Sequence, residues 1–144
     1  MAIRAVESLA DWAEQYVKNK DLILRNIVNI TQAEGGWTFS VIKKDGSQHF
    51  LVVPHLNPEE VLAKLKPEIN ACLVVLNSRE NLDHLVNNWS EFVKFPKLCI
   101  IFANPNSDGD KRWIVFPHTH DKITERKTLR RGLDALFMTV DEVR

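Results

Sequence analysis

Two runs constrain this chain more than any other feature: "ACLVVLN", residues 71–77, and "KLCIIFAN", residues 97–104. Each is apolar at nearly every position, as in a strand covered on both faces; a strand with one wet face alternates apolar and polar side chains instead. Between them Leu82, Leu85, Val86, Trp89, Phe92 and Val93 recur at spacings of three and four until Pro96, which predicts a helix over 79–95. Asn77 followed by Glu80 has the pattern of a helix start. Strand, helix and strand in that order predict two parallel strands joined by a right-handed crossover.

The remaining segments extend this unit. "AVESLADWAEQYVKNK" places Val6, Leu9, Ala10, Ala13 and Val17 on one helical face, with Glu7, Asp11 and Glu14 along a separate flank. "LILRNIVNITQ", "GWTFSVI" and "QHFLVV" predict three sequential antiparallel strands, the last two joined by "KKDGS", in which Asp45-Gly46 is a tight-turn signal. "NPEEVLAKLK" has Asn57 placed to cap a helix, Pro58 at its first position and Glu60 three residues after the cap. "RWIVFPH" predicts a strand antiparallel to residues 97–104, and Leu129, Leu133, Leu136, Phe137 and Val140 predict a last helix within 125–142. Residues 1–144 are therefore expected to form a single α/β domain, a mixed β-sheet flanked by helices.

Nineteen basic residues balance nineteen acidic ones, so any polyanion contact has to come from a local patch. No leader-like segment opens the chain and no apolar run approaches the ~18 residues of a membrane span, so a cytoplasmic protein without membrane contact is expected. Cys72 and Cys99 lie inside the two apolar runs and read as small buried hydrophobes. Trp37, Trp89 and Trp113 fall on apolar patterns and read as core, whereas Trp12 lies off the main stripe of its helix and suits an interface.

The order helix, three antiparallel strands, helix, then parallel apolar strands, over residues 5–103, resembles the core of the restriction-endonuclease-like fold, the PD-(D/E)xK nuclease superfamily. That resemblance rests on element order (α-β-β-β-α-β), to which this chain adds a parallel crossover and a C-terminal strand and helix. It implies an aspartate near the end of the second core strand and a Glu-x-Lys pair in the third, together holding a divalent metal that activates water. In this chain "GWTFSVIKKDGSQHFLVVPHL" offers Thr38 or Ser40 at the first position and Val52-x-Pro54 at the second. Valine and proline cannot ligate a metal, so the resemblance implies a nuclease core whose catalytic motif is lost. Migrated carboxylates would have to come from Glu7, Asp45, Glu59 or Glu60.

Two local clusters remain. In an extended strand running through "WIVFPHTHD", His118 and His120 share a face and, with Asp121, form a candidate metal site. The bland alternative is that the histidines end the strand and Asp121 bonds local backbone. His49 and His55 likewise share a strand face, while His84 reads as a partly exposed helix residue. Lys122, Arg126, Lys127, Arg130 and Arg131 form the one basic cluster; on a helix Arg126 with Arg130, and Lys127 with Arg131, would line adjacent stripes able to meet phosphates. The expectation is a non-catalytic nuclease-like domain acting as a binding or assembly module for a protein or nucleic acid, with a second copy of the chain as another partner and no cofactor. The alternative is a metal-dependent nuclease or phosphodiesterase using migrated carboxylates, which would require a divalent metal.

Overall fold

The computed structural model describes residues 2–32, 35–107 and 111–143, with side chains from Ser8 onward. Six strands lie in chain order across one sheet: β1 Ile27–Gln32, β2 Phe39–Lys43, β3 Gly46–Val52, β4 Ala71–Leu76, β5 Cys99–Ala103 and β6 Arg112–Val115. The first three form an antiparallel meander, β3, β4 and β5 run parallel, and β6 returns antiparallel to β5. The sheet is mixed, as the sequence predicts.

The continuous apolar runs exist because the sheet is covered on both sides. Leu73 and Val75 of β4, with Ile100 and Phe102 of β5, join one buried cluster; Cys72 and Val74, with Cys99 and Ile101, join the other. Alternate residues of each strand thus enter opposite cores. Helix α1, Ala2–Leu24, covers one face through Leu9, Ala13, Tyr16 and Val17. The opposite face carries α2 Pro58–Lys64, α3 Arg79–Asn87, α4 Trp89–Phe92 and α6 Leu129–Phe137, with α5 Pro117–Ile123 and a 3-10 turn Arg126–Thr128 leading into α6. Each fully buried Leu, Val or Phe contributes about 1.5–3 kcal/mol, so these two layers supply most of the driving force.

Several boundaries differ from expectation, each for a local reason. Leu22, Ile23 and Leu24 belong to α1 rather than to the first strand. The chain turns at Arg25, whose φ of 48° is left-handed, while the Asp21 carboxylate accepts from the amides of Asn26 (2.8 Å) and Ile27 (3.0 Å). The helix expected over 79–95 breaks at Asn88, whose side-chain amide donates to the His84 carbonyl at 2.9 Å and competes with the helical ladder. Ser78, not Asn77, caps α3, accepting from the Asn81 amide. The strand expected over 112–118 ends at Val115, because Pro117 starts α5 and its missing amide suits a first helical turn. His118 and His120 are therefore helical. Trp89 and Trp113 are core residues; Trp37 is only half buried and stacks on His49 with ring centroids 5.5 Å apart.

Candidate functional site

The positions at which the nuclease resemblance puts metal ligands are occupied by committed side chains. Thr38 Oγ1 accepts from the Val52 amide at 2.9 Å, and the buried Ser40 Oγ lies 2.7 Å from His49 Nδ1, its cross-strand partner. Val52 packs beneath α1. Pro54 lies past the end of β3 rather than on it, and its carbonyl accepts from Asn81 Nδ2 (2.8 Å) and the Leu76 amide (3.3 Å).

The alternative carboxylates do not gather. Asp45 sits at the β2–β3 turn, where its carboxylate accepts from Asn26 Nδ2 at 3.1 Å. Glu59 and Glu60 are exposed on α2, beyond the opposite end of β3. Seven strand residues rise about 3.3 Å each, so the two ends stand roughly 20 Å apart. The side chain of Glu7 lies outside the described residues. Among the described residues no three His, Cys, Asp or Glu side chains converge as a metal site.

The histidine cluster is a packing device. Residues two apart on a helix point about 200° from each other, so His118 and His120 on α5 do not share a face. His118 Nδ1 donates to the Val93 carbonyl at 2.9 Å, since a carbonyl can only accept. His120 lies edge-on to the Trp89 ring at 5.7 Å, with Nε2 enclosed and without a hydrogen-bond partner. Asp121 accepts from Arg126 Nε at 2.6 Å and from Trp89 Nε1 at 2.9 Å. These donors, Arg126 first and Trp89 second, hold its carboxyl below the usual carboxylate range. His49 and His55 cannot complete a site with them, because β4 and β5 separate β3 from β6.

Pairing also dismantles the expected basic strip. Arg126 and Lys127 fall in the 3-10 turn, so the two stripes that a continuous helix would form are absent. Arg126 is held by Asp121 and donates to Ser90 Oγ; Lys127 lies 3.7 Å from Glu125. Arg130 binds Asp83 at 2.5 Å and lies 3.7 Å from Asp134, which also meets Arg79 at 3.0 Å. Lys122 and Arg131 are exposed and make no ion pair among the described residues. His84 is partly exposed and lies 3.6 Å from Glu80.

Exposed apolar side chains concentrate instead where α1 ends. Leu22, Ile23, Leu24 and Val28 are 69%, 93%, 71% and 65% exposed. Successive helical residues point about 100° apart. Leu22 accordingly borders a depression with Ile27 and Ile30 of the edge strand β1, Leu24 borders a cleft between α1 and the sheet, and Ile23 projects between them. Val28 is the extra residue of a β-bulge, since Ile27 and Asn29 pair with the adjacent residues Lys43 and Ile42. Phe116, half exposed, borders the same cleft as Leu24.

Sequence reasoning missed this surface because "LIL" reads as a strand start, and it read Asn77 only as a helix start and passed over Asn81. Asn77 Oδ1 accepts from Trp113 Nε1 at 2.7 Å, and its Nδ2 donates to the carbonyls of Phe137 (3.2 Å) and Val140 (3.0 Å). Asn81 Oδ1 accepts from the Leu56 amide at 2.8 Å. A polar residue ending an all-apolar strand was the available signal at Asn77.

These features define a mixed α/β sheet domain with an apolar surface at one end. No known protein family, curated protein or solved structure matches the chain. No helix among the described residues is long and apolar enough to cross a membrane.

Proposed function

We propose that the chain is a non-catalytic nuclease-like domain serving as an assembly module, and that it docks a protein through the apolar surface at the end of α1. The observation that carries this reading is the row Leu22, Ile23 and Leu24, which protrudes past the core that α1 helps to build. Contiguous exposed apolar surface is unfavourable in water and marks contact sites. The antiparallel β1–β2–β3 meander followed by parallel β4 supports the nuclease-like core, and Thr38, Ser40, Val52 and Pro54 at the ligand positions support loss of its chemistry.

A protein is favoured over nucleic acid as partner because three of the five basic residues already face carboxylates within the chain. Within that cluster Lys122 and Arg131 alone are left without an ion pair among the described residues, too few phosphate contacts for the cluster to bind a polyanion strongly at physiological salt. The bulge at Val28 blunts the edge of β1, so side chains rather than strand pairing are expected to make the contact.

The test compares what co-purifies with the wild-type chain, with Ile23→Asp, and with a Lys122→Ala, Arg131→Ala double variant. A stoichiometric protein, or a second copy of the chain, should be lost only with Ile23→Asp. Retention of nucleic acid that depends on Lys122 and Arg131, or Mg²⁺- or Mn²⁺-dependent cleavage of DNA or RNA, would favour the nuclease-type reading.

A further inference from the structure

The cleft beneath the second half of α1 has the build of a small-molecule site, separate in chemistry from the apolar surface beside it. Its volume is about 320 Å³, within the range of roughly 300–1,000 Å³ in which ligand pockets fall. The floor is rigid and apolar: Phe50, Cys72, Cys99 and Ile101 come from the three central strands and are all buried. Tyr16 and Val17 roof it from α1. Burial pushes the Cys72 thiol up, helped by the neighbouring Cys99, so the Cys72 sulfur presents a neutral, weakly reactive surface.

Charge enters from opposite walls. Lys20 projects from α1 and Lys43 from β2, and both border the cleft. Neither ammonium forms an ion pair among the described residues: Lys20 lies 5.9 Å from the Tyr16 ring, and Lys43 donates to Gln48 Oε1 at 3.4 Å. The carboxylate that lines the cleft, Asp21, is already engaged, as is Asp45 in the β2–β3 turn. Asp21 faces the Asn26 and Ile27 amides, and Asp45 takes the Asn26 side chain. Gln48 and Asn70 add neutral groups able to orient a ligand. An apolar floor with two free cations at its mouth complements a small amphiphile of opposite charge.

We propose that this cleft binds a small organic anion, an apolar body resting on Cys72, Cys99 and Ile101 with its carboxylate or phosphate between Lys20 and Lys43. None of these five residues belongs to the α1 row, although Leu24 of that row borders the cleft.

The test titrates the intact chain with three ligands sharing one tail, octanoate, octan-1-ol and octylamine, by calorimetry and by methyl NMR. Octanoate should bind saturably and most tightly, and should shift the Ile101 and Ile114 methyl signals while leaving Ile123, exposed on α5, unmoved. Lys20→Gln and Lys43→Gln, at the rim and outside the core, should each weaken octanoate about tenfold, the order expected on losing a charge-assisted contact, and leave octan-1-ol unchanged. Equal affinity for the three ligands, octanoate binding indifferent to both substitutions, or no saturable binding of octanoate would overturn the proposal.

Discussion

Asn77 fastens the C-terminal region to the sheet, and its removal gives a sharp test of how this fold is held. The residue is fully buried at the end of β4. Asn77→Ala leaves Trp113 Nε1 without its acceptor and the Val140 carbonyl without its donor, both enclosed. Each orphaned buried group costs about 1–3 kcal/mol, so the substitution should destabilise by roughly 3–5 kcal/mol once the small cavity is added. That is a large fraction of the ~5–15 kcal/mol typical of a whole domain. Trp113→Phe removes the donor and orphans only Asn77 Oδ1, so it should cost less. Because the two groups share one hydrogen bond, the double variant should lose about 1–2 kcal/mol less than the sum of the single variants. Urea unfolding followed by tryptophan fluorescence measures all three. A cost below about 1 kcal/mol for Asn77→Ala, or strict additivity, would refute the view that this amide ties α6 to β4 and β6.

Three further outcomes are expected. Ile100 is fully buried between β4 and β6, and Ile100→Ala should cost about 2–5 kcal/mol in the same assay. Cys72 and Cys99 are free and buried on paired strands, so a thiol reagent should label them slowly in native buffer and rapidly in denaturant. The folded-state pKa of Asp121 is depressed by Arg126 and Trp89, so its contribution is present above the unfolded value near ~3.9 and disappears as pH falls through the folded one. Asp121→Asn should therefore lower Tm slightly at neutral pH and leave it unchanged in strong acid, and a pH-independent difference would count against the ion pair.

How far the sequence reaches depends on which physical signal each segment carries. The apolar runs at 71–76 and 98–103 specify strands buried on both faces, and the structure pairs Cys72 with Cys99 in parallel as that predicts. Asn57-Pro58 and Asp45-Gly46 act locally, and each produces its cap or turn where expected. Where tertiary contacts decide, local signals mislead. "LIL" has strand composition, yet residues 22–24 continue a helix already paid for by Leu9, Ala13 and Val17. The basic cluster looked like a free strip because Asp83, the partner of Arg130, lies on α3, whose packing against α6 no spacing rule reveals, whereas Asp134, four residues along α6 from Arg130, was legible. The cleft is likewise built from α1 and all six strands, a juxtaposition with no linear signature.

The most direct test of the assembly reading places a photo-reactive amino acid at position 23 or at position 131 of the chain in the cells it comes from. Ile23 is 93% exposed and Arg131 is exposed on α6, so neither substitution disturbs the core. Position 23 should give one protein adduct of defined mass, resistant to nuclease, and position 131 should give little. Nuclease-sensitive adducts at position 131 with none at position 23 would contradict a protein-docking module and return the weight to a nucleic-acid partner.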